Sequence, residues 1–400
     1  MNIEQLVRES LREGAEEGQP PPADFADRVL RVRRRRRSRR IVTASVAAVV
    51  AIAVAMGVPV LNTDETRPAE VTVREDVSAR PGQSPPRDLV AAGETALSAY
   101  YRYEKEKLPN GDEILHRRWH LYNADTERYE KADWAYLDVA PGMETAAVLE
   151  KLPAQRVGLL DLRTGKVRRW LETGHGMAGL EWSPDGRRIV ATTYDRNPGH
   201  YDHTKPVNVN GKEEPGPMRS RTGFAVIDAA SGESTWHELP AYEDARGYLG
   251  NAREDMSWNR DGTLLYTDIP AEPYRQFYDL RGRRVAAPRD EMRSFSKAGL
   301  SPDGRLAAGD FAGRGEEIAT EVLDASTGKR VALQPVQELL AWADSDRLIA
   351  WGCDPDRCSG KGEFRQQLVL VDVAGRHVAE LTGFRRSGTS KSWVPVFTRR

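Results

Sequence analysis

The sequence contains few of the residues and motifs with which enzymes carry out chemistry. Of its 400 residues only two are cysteines, Cys353 and Cys358, and only seven are histidines. It lacks the G-x-S-x-G motif of serine hydrolases, the G-x-x-x-x-G-K-[ST] phosphate-binding loop and the H-E-x-x-H zinc motif. These absences exclude the enzyme classes that depend on those motifs, and no residue is predicted to be catalytic.

Charge is missing from one segment of the chain. Residues 41–61 contain no charged side chain, and residues 28–40, which precede them, contain nine arginines and no acidic residue. About 20 apolar residues suffice for a helix to cross the membrane, and arginines keep their side of it in the cytoplasm. We therefore predict a single-pass protein of the cell membrane, with residues 1–40 as a cytoplasmic tail and residues 41–61 in contact with lipid.

Two other interpretations of this segment stay open. The motif Ala53-Val54-Ala55 has the form of a signal-peptidase site, so that the anchor could be cleaved. The arginines are also compatible with nucleic-acid binding, but no aromatic residue is interleaved with them, and the adjoining apolar segment explains their position. No nucleic-acid partner is expected.

A short motif recurs along the rest of the chain. Residues 179–195 read GLEWSPDGRRIVATTYD, in which a Ser-Pro-Asp-Gly turn separates two apolar segments. Proline presets φ for a tight turn and glycine accepts the positive φ that the turn needs, so the motif predicts a strand, a turn and a strand. Related segments are residues 139–149, 256–268, 298–310 and 340–352.

The equivalent turn positions are regularly spaced. The interval is 44 residues from Gly142 to Gly186, and 42 from Gly262 to Gly304 and from Gly304 to Asp346. The interval from Gly186 to Gly262 is 76 residues, which equals one period plus an insertion of about 30. A four-stranded propeller blade takes about 40–45 residues, so the spacing predicts a β-propeller.

Each repeat also has a second signature, an apolar strand that ends at a turn with glycine. It occurs in residues 159–165, 225–232, 276–282, 322–328 and 370–375. Three strand candidates after residue 91 and one at residues 393–397 are left without a repeat, and we predict that they combine into a further blade. The fold class is therefore all-β, with a six-bladed β-propeller over residues 91–400 that the C-terminal strand closes; five or seven blades are the alternatives.

These repeats resemble the WD40-like repeats of the TolB type, which are found in many bacterial extracytoplasmic β-propellers. The resemblance extends from about residue 91 to the C-terminus. It implies a fold and not a function, because propellers host binding, scaffolding and several unrelated chemistries. The Trp-Asp and Gly-His signatures of eukaryotic WD40 blades are missing, which argues against the scaffold role of that group.

The residues before the repeats divide into three parts. Residues 1–40 contain short amphipathic helical patterns, residues 41–61 are the expected membrane helix, and residues 62–90 form a polar linker interrupted by prolines. The tail and helix resemble those of bacterial anti-sigma-like membrane proteins, although the His-x-x-x-Cys-x-x-Cys zinc pattern is missing. A sigma factor or another cytoplasmic regulator is therefore a candidate partner; in the alternative interpretation the tail only assists membrane insertion.

The two cysteines are five positions apart in a turn between two strand candidates. Outside the cytoplasm an even pair at this spacing indicates a disulfide, so we predict a bond between Cys353 and Cys358. A metal site would need two more soft ligands nearby, and Asp354 and Asp356 are hard ones.

The insertion within the repeats, residues 194–222, is the best candidate for a specific binding function, because long loops on a rigid scaffold often bind ligands. It is predicted to be an irregular loop, and its candidate binding residues are Asp195, His200, Tyr201, Asp202 and His203. His200 and His203 could share a metal ion with a carboxylate, but a polar loop with two histidines is more often simply solvated, and no metal is expected.

Together these features predict an extracytoplasmic propeller, anchored in the membrane, that binds or senses an unidentified envelope ligand or protein. No cofactor is expected. The alternative is a propeller enzyme that acts through its central channel, like the lactonase-type and quinoprotein-type propellers.

Overall fold

The structure is a computed structural model that describes residues 76–209, 211–242, 253–269, 274–288, 296–313, 318–353, 366–385 and 392–400. The chain divides into two units: a larger one, Val73–Val209 with Glu213–Arg400, and a smaller one, Met1–Thr72 with Asn210–Lys212. Within the described ranges no helix is able to span a membrane. The predicted tail, the predicted membrane helix and residues 62–75 of the predicted linker lie outside those ranges.

The described residues form strands and no helix, which confirms the all-β class predicted from the sequence. The strands are β1 (Val77–Ser78), β2 (Ala91–Ala92), β3 (Thr95–Lys107), β4 (Glu113–Asn123), β5 (Arg128–Ala132), β6 (Tyr136–Val139), β7 (Thr145–Leu149), β8 (Ala154–Asp161), β9 (Lys166–Trp182), β10 (Arg188–Tyr194), β11 (His200–Val209), β12 (Lys212–Pro217), β13 (Arg221–Asp228), β14 (Ser234–Glu238), β15 (Ser257–Trp258), β16 (Leu265–Asp268), β17 (Arg275–Tyr278), β18 (Arg284–Val285), β19 (Leu306–Phe311), β20 (Thr320–Asp324), β21 (Arg330–Gln334), β22 (Glu338–Trp342), β23 (Arg347–Gly352), β24 (Gln367–Asp372), β25 (His377–Glu380) and β26 (Val394–Arg399).

The first sheet combines strands from distant parts of the chain. Its centre is the long hairpin of β3 and β4, in which Ala99 lies opposite Leu121 and Lys107 opposite Glu113. The C-terminal strand β26 pairs with β3, with Val396 opposite Ala99, and β5 pairs with the other edge of β4. Strand β11 pairs with the far end of β4 and continues into β12.

The second sheet has seven strands in the order β14-β13-β10-β9-β8-β7-β6. Its long strand β9 changes partner, because its first half pairs with β8 and its second half with β10. Two glycines permit this change. Gly174 has a φ of +71°, which residues with a side chain rarely adopt. A Cβ on Gly176 would lie 2.8 Å from the carbonyl oxygen of Tyr194 and would clash with it.

The remaining sheets are smaller and consist of neighbours in sequence. Strands β15 to β18 form one, β19 to β21 form the next, and β22 to β25 form the last. A bridge between Leu300 and Ala307 adds a further pairing to the edge of β19. All strand pairs in these three sheets are antiparallel, as the hairpin turns of the sequence predict.

The Ser-Pro-Asp-Gly motif forms the turn that its chemistry predicts. The Ser183 hydroxyl donates to Asp185 Oδ1 at 2.6 Å and accepts from the backbone N–H of Arg188 at 2.9 Å. Gly186 has a φ of +68° and donates its N–H to the Ser183 carbonyl. Side-chain and backbone hydrogen bonds therefore stabilise the turn together. It connects β9 and β10, which pair antiparallel.

Buried apolar side chains pack between successive sheets. Leu97 and Tyr100 of the first sheet share a cluster with Ile349 of the last sheet, whereas Trp119 of the first sheet packs with Val148 of the second. Similar clusters join the second sheet to β15–β18, and β19–β21 to β22–β25. The apolar core is thus divided among the interfaces between sheets.

Candidate functional site

Tryptophan side chains connect neighbouring sheets or strands at equivalent positions of the repeat. The indole Nε1 of Trp182 donates to the carbonyl oxygen of Asp138 at 3.2 Å, and that of Trp258 donates to the carbonyl oxygen of Glu181 at 3.1 Å. Trp342 makes the equivalent bond to the carbonyl oxygen of a glycine at 3.1 Å. Each tryptophan thereby fixes the strand at the start of one repeat against the strand that starts the repeat before it.

These starting strands surround one cavity of about 800 Å³, which we name the central cavity. Tyr136 and Asp138 contribute to its lining from β6, Glu181 from β9, Trp342 from β22 and Val396 from β26. A cavity of this volume is within the range of small-molecule binding sites in proteins.

Two half-buried carboxyl groups, those of Asp138 and Glu181, line the central cavity, whose lining also includes Arg117, Arg260, Lys297 and Arg399. Asp138 Oδ2 accepts the backbone N–H of Trp182 at 2.7 Å, and Glu181 Oε1 accepts that of Trp258 at 3.0 Å. Burial raises the pKa of Asp138 to about 7. It raises the pKa of Glu181 to about 8, and the charge of nearby Asp138 adds to this effect. Among the described residues neither group forms an ion pair, and at pH 7 Asp138 is about half protonated and Glu181 mostly protonated.

A second group of charges, next to these acids, is well compensated. Asp255 accepts the Tyr194 hydroxyl at 2.7 Å and the Arg253 Nε–H at 3.0 Å. Burial alone would raise the pKa of Asp255, but the positive charges of Arg253 and Arg117 outweigh it and hold that pKa below its usual value. The Arg253 guanidinium also lies 5.0 Å from the ring centroid of Tyr136, and that of Arg117 lies 4.8 Å from the same ring. Both guanidinium groups are therefore close enough to interact with the Tyr136 ring.

The contrast between the two groups defines what the central cavity can bind. The Asp255 carboxylate has its cations within the protein, whereas Asp138 has only backbone N–H partners and Glu181 has a backbone N–H and the Ser257 side chain as partners. A buried carboxylate without a counter-charge is unfavourable unless a cation approaches it. The arrangement thus favours either protonated acids or a positively charged group in the cavity.

The residues proposed from the sequence as a binding loop lie largely on a strand. Residues 200–209 form β11, and His200 and Tyr201 pair with Ile114 and Glu113 of β4. The expectation of an irregular loop is wrong for this part of the insertion. The physical reason is that β3 and β4 are long enough to extend beyond the rest of their sheet, and the edge of β4 offers backbone partners to the inserted chain.

Three of the five proposed residues come together around Asp112, in the β3–β4 turn. Asp112 Oδ2 is 2.7 Å from His200 Nε2, and Asp112 Oδ1 is 2.7 Å from His203 Nδ1. Asp202 approaches the same group, which we name the Asp112 cluster: Asp112, His200, Asp202 and His203. The bonds from His203 and His200 hold the pKa of Asp112 far below its usual value.

The other two proposed residues lie apart from this cluster. Asp195 forms an exposed ion pair with Arg196, with 3.2 Å between Oδ1 and Nε. Tyr201 is half-buried, and burial raises the pKa of its hydroxyl. Cys353 is not a free thiol, but Cys358 lies outside the described residues, so the bond between these two cysteines stays a prediction.

Sequence reasoning missed Asp112, Asp138 and Glu181. Asp112 had no signal in its own segment, because the two histidines that contact it are 88 and 91 residues away. For the two acids a signal existed: aligning the repeats on Pro141 and Pro184 puts Asp138 and Glu181 at the same position, each between two apolar residues. An acid repeated at a core position indicates a role other than packing.

Comparisons with known proteins give structural similarities only. No protein-family model and no curated protein matches the chain. Among solved structures it is similar to the Kuenenia stuttgartiensis hydrazine synthase, at 11% identity over 61% of this chain and 64% of that chain, with a TM-score of 0.33. It is similar to TolB from Acinetobacter baumannii, at 14% identity over 72% and 64% of the two chains, with a TM-score of 0.33. The chain thus spans 64% of the length of each of these two structures, and similarity at this level places it in no family.

Proposed function

We propose that the chain closes as a six-bladed β-propeller that binds a positively charged ligand in its central cavity. The strands support this closure because they form six antiparallel units of four. These units are β26-β3-β4-β5, β6-β7-β8-β9, β9-β10-β13-β14, β15-β16-β17-β18, the strand segment at Leu300 with β19-β20-β21, and β22-β23-β24-β25.

The packing between sheets supports a closed ring. The first sheet packs against both the second and the last, because Leu97 contacts the cluster of the last sheet and Trp119 that of the second. The third and fourth sheets, β15–β18 and β19–β21, meet where Arg260 Nη1 donates to the Pro302 carbonyl at 3.3 Å. An open stack would leave two outer sheets without a neighbour on one face, whereas a ring gives every sheet two neighbours.

The nature of the ligand follows from one observation: among the described residues Asp138 and Glu181 form no ion pair, and their pKa values are raised, although Arg117, Arg260, Lys297 and Arg399 also contribute to the lining of the central cavity. An ammonium or guanidinium group beside them would supply the missing positive charge. It would also lower both pKa values, and binding near neutral pH would therefore release protons to the solvent.

Calorimetric titration of the full chain at pH 7.5 tests this proposal. We expect spermidine and arginine to bind and glucose, which is neutral, to give no signal. Repeating the titration in phosphate and Tris, which differ in ionisation enthalpy, should show release of about one proton per ligand. In the double variant Asp138→Asn with Glu181→Gln the binding and the proton release should be lost, whereas Asp195→Asn, a change at a surface ion pair, should leave both intact. Equal binding of spermidine by the double variant would contradict the proposal.

An enzymatic role of the same cavity is the second candidate. Carboxyl groups with pKa values of about 7 and about 8 are suited to general acid catalysis near neutral pH. A hydrolase of this kind would cleave lactones or activated esters at a rate that falls on replacement of either acid. A ligand that is bound and recovered unchanged favours the binding function instead.

We also propose, on the sequence alone, that residues 41–61 anchor the chain in the cell membrane with residues 91–400 outside the cytoplasm. Support comes from the absence of charge in that segment and from the nine arginines before it. The chain should resist extraction by alkaline carbonate, and protease added to intact spheroplasts should digest residues 91–400. Release by carbonate would contradict the anchor.

The partner of the tail is a separate proposal. Residues 1–40 would engage a sigma factor or another cytoplasmic regulator. Such a protein should co-purify with the full chain and be lost when an unrelated tail replaces residues 1–40. Unchanged recovery of that protein after the replacement would contradict the proposal.

A further inference from the structure

The Asp112 cluster lies on elements outside the repeat pattern. Asp112 belongs to the turn between β3 and β4, and the other members belong to the inserted strand β11. None of its four residues lines the central cavity. The ligand proposed for that cavity therefore does not explain why two histidines and two carboxylates meet here.

The geometry of the cluster matches a metal-binding site. One ligand atom from each of Asp112, Asp202 and His203 lies within 4.8 Å of the others. His200 Nε2 lies 2.7 Å from Asp112 Oδ2 but is not a member of this group of three. One imidazole nitrogen and two carboxylate oxygens form a three-ligand set that suits Zn²⁺ and the neighbouring transition metals, with water at the open position, whereas Ca²⁺ and Mg²⁺ prefer oxygen ligands alone.

The surroundings hold these side chains in position. Asn110 Nδ2 donates to Asp112 Oδ2 at 2.9 Å, and both the N–H and the hydroxyl of Thr204 donate to Asp202 Oδ1, at 2.8 and 2.6 Å. Such hydrogen bonds to ligating carboxylates orient the ligands of metal sites.

A glycine makes room for one of the imidazole rings. Gly111 has a φ of +93°, and a Cβ at this position would lie 3.2 Å from His203 Cγ. A side chain at residue 111 would therefore be strained by the positive φ and would crowd the His203 ring.

We propose that Asp112, Asp202 and His203 bind one divalent transition-metal ion, with Zn²⁺ as the expected metal and His200 as a hydrogen-bond partner of Asp112. The ion replaces the bond between the His203 imidazole and the Asp112 carboxylate, because the ligating nitrogen must give up its proton to accept the metal. It joins the β3–β4 turn to β11, and so fixes the insertion on the first sheet.

Titration of the full chain with Co²⁺ tests the proposal, after purification without a histidine tag and treatment with a chelator. We expect one equivalent of Co²⁺ to bind, with the visible absorption of tetrahedral coordination, and Zn²⁺ to displace it. Ca²⁺ and Mg²⁺ should have no effect at the same concentrations. Absence of stoichiometric Co²⁺ binding would overturn the proposal.

Variants separate a metal site from a structural hydrogen-bond cluster. His203→Ala should weaken Co²⁺ binding by at least about tenfold, but it also removes a bond to Asp112. Asp202→Asn leaves both bonds between Asp112 and the histidines in place, and it should weaken Co²⁺ binding to a similar degree. His116→Ala is the matched control, because His116 bonds to Glu106 at 2.6 Å on the same two strands, outside the cluster. Unchanged affinity in Asp202→Asn and His203→Ala would show that the cluster is only structural.

Discussion

The two acids of the central cavity predict an unusual dependence of stability on pH. The variants Asp138→Asn and Glu181→Gln remove the charge and keep a carbonyl oxygen where the backbone N–H groups of Trp182 and Trp258 donate, at 2.7 and 3.0 Å. They therefore test the cost of ionisation while the hydrogen bonds stay in place.

The direction and size of the change in stability with pH follow from the raised pKa values of the two acids. Between its unfolded and folded pKa each acid is protonated in the folded chain and ionised in the unfolded chain, so stability falls as the pH rises through that interval. For Asp138 the interval runs from 3.8 to about 7, and for Glu181 from 4.5 to about 8. A shift of that size corresponds to about 4 kcal/mol for each group. Because both side chains face an open cavity, screening by solvent reduces this to about 2 kcal/mol.

Urea unfolding at pH 4.5, 7 and 9 measures the effect. We expect the parent chain to lose stability from pH 4.5 to pH 9 and each variant to lose about 2 kcal/mol less. At pH 9 each variant should therefore be more stable than the parent, and at pH 4.5 the curves should nearly coincide.

Asp185→Asn is the matched control for this experiment. The hydroxyl of Ser183 lowers the pKa of Asp185, so this carboxylate stabilises the fold above its unfolded pKa and loses that effect as the pH falls. The variant should be less stable than the parent at neutral pH and equal to it in acid. If Asp138→Asn were likewise less stable than the parent at neutral pH and equal to it in acid, the fold would stabilise the Asp138 carboxylate as an anion. That result would contradict the raised pKa of Asp138.

Three further predictions concern the stability of the fold and are measured by urea unfolding. Arg221→Ala should cost about 3–5 kcal/mol, because it leaves the buried Glu254, 3.1 Å away, without its counter-charge. Gly93→Ala should destabilise the chain by more than Gly142→Ala. Both glycines have a positive φ, but a Cβ at Gly93 would lie 2.4 Å from a carbonyl oxygen, whereas a Cβ at Gly142 would have no heavy atom within 4 Å. Trp258→Phe should cost about 1 kcal/mol through the lost indole hydrogen bond, beyond any change in packing. Equal effects of the two glycine variants, or a neutral Arg221→Ala, would contradict these assignments.

The turns and strand pairs could be predicted because the signals are local. The Ser183 hydroxyl, the Asp185 carboxylate and the positive φ of Gly186 act within a few residues, and the structure has the expected bonds among them. The period of the repeat likewise gives the number of strands in each unit, since hairpin-connected strands pair with their neighbours in sequence.

The candidate site could not be predicted in the same way, because its parts are distant in sequence. The insertion was identified by its length, but its pairing with β4 depends on how far the β3–β4 hairpin extends, and β3 has 13 residues where the last sheet has strands of four to six. The cost of charge on Asp138 depends on burial by strands of other repeats, which no local pattern specifies. A sequence shows which residues are of a type that binds ligands or titrates. Their burial and their contacts can be known only from the folded structure.

The position of the two acids links the charge in the cavity to the packing between repeats. Each acid accepts the backbone N–H of a tryptophan whose indole donates to the carbonyl of that same acid, so two bonds join each pair. Ionisation makes the carboxylate a stronger acceptor, but the raised pKa values show that desolvation outweighs this gain. A cation in the cavity would offset the desolvation and leave the stronger bonds in place. Binding of a cation in the cavity should therefore strengthen the hydrogen bonds between the two acids and the tryptophans. Ligand binding would in this way be coupled to the packing between repeats.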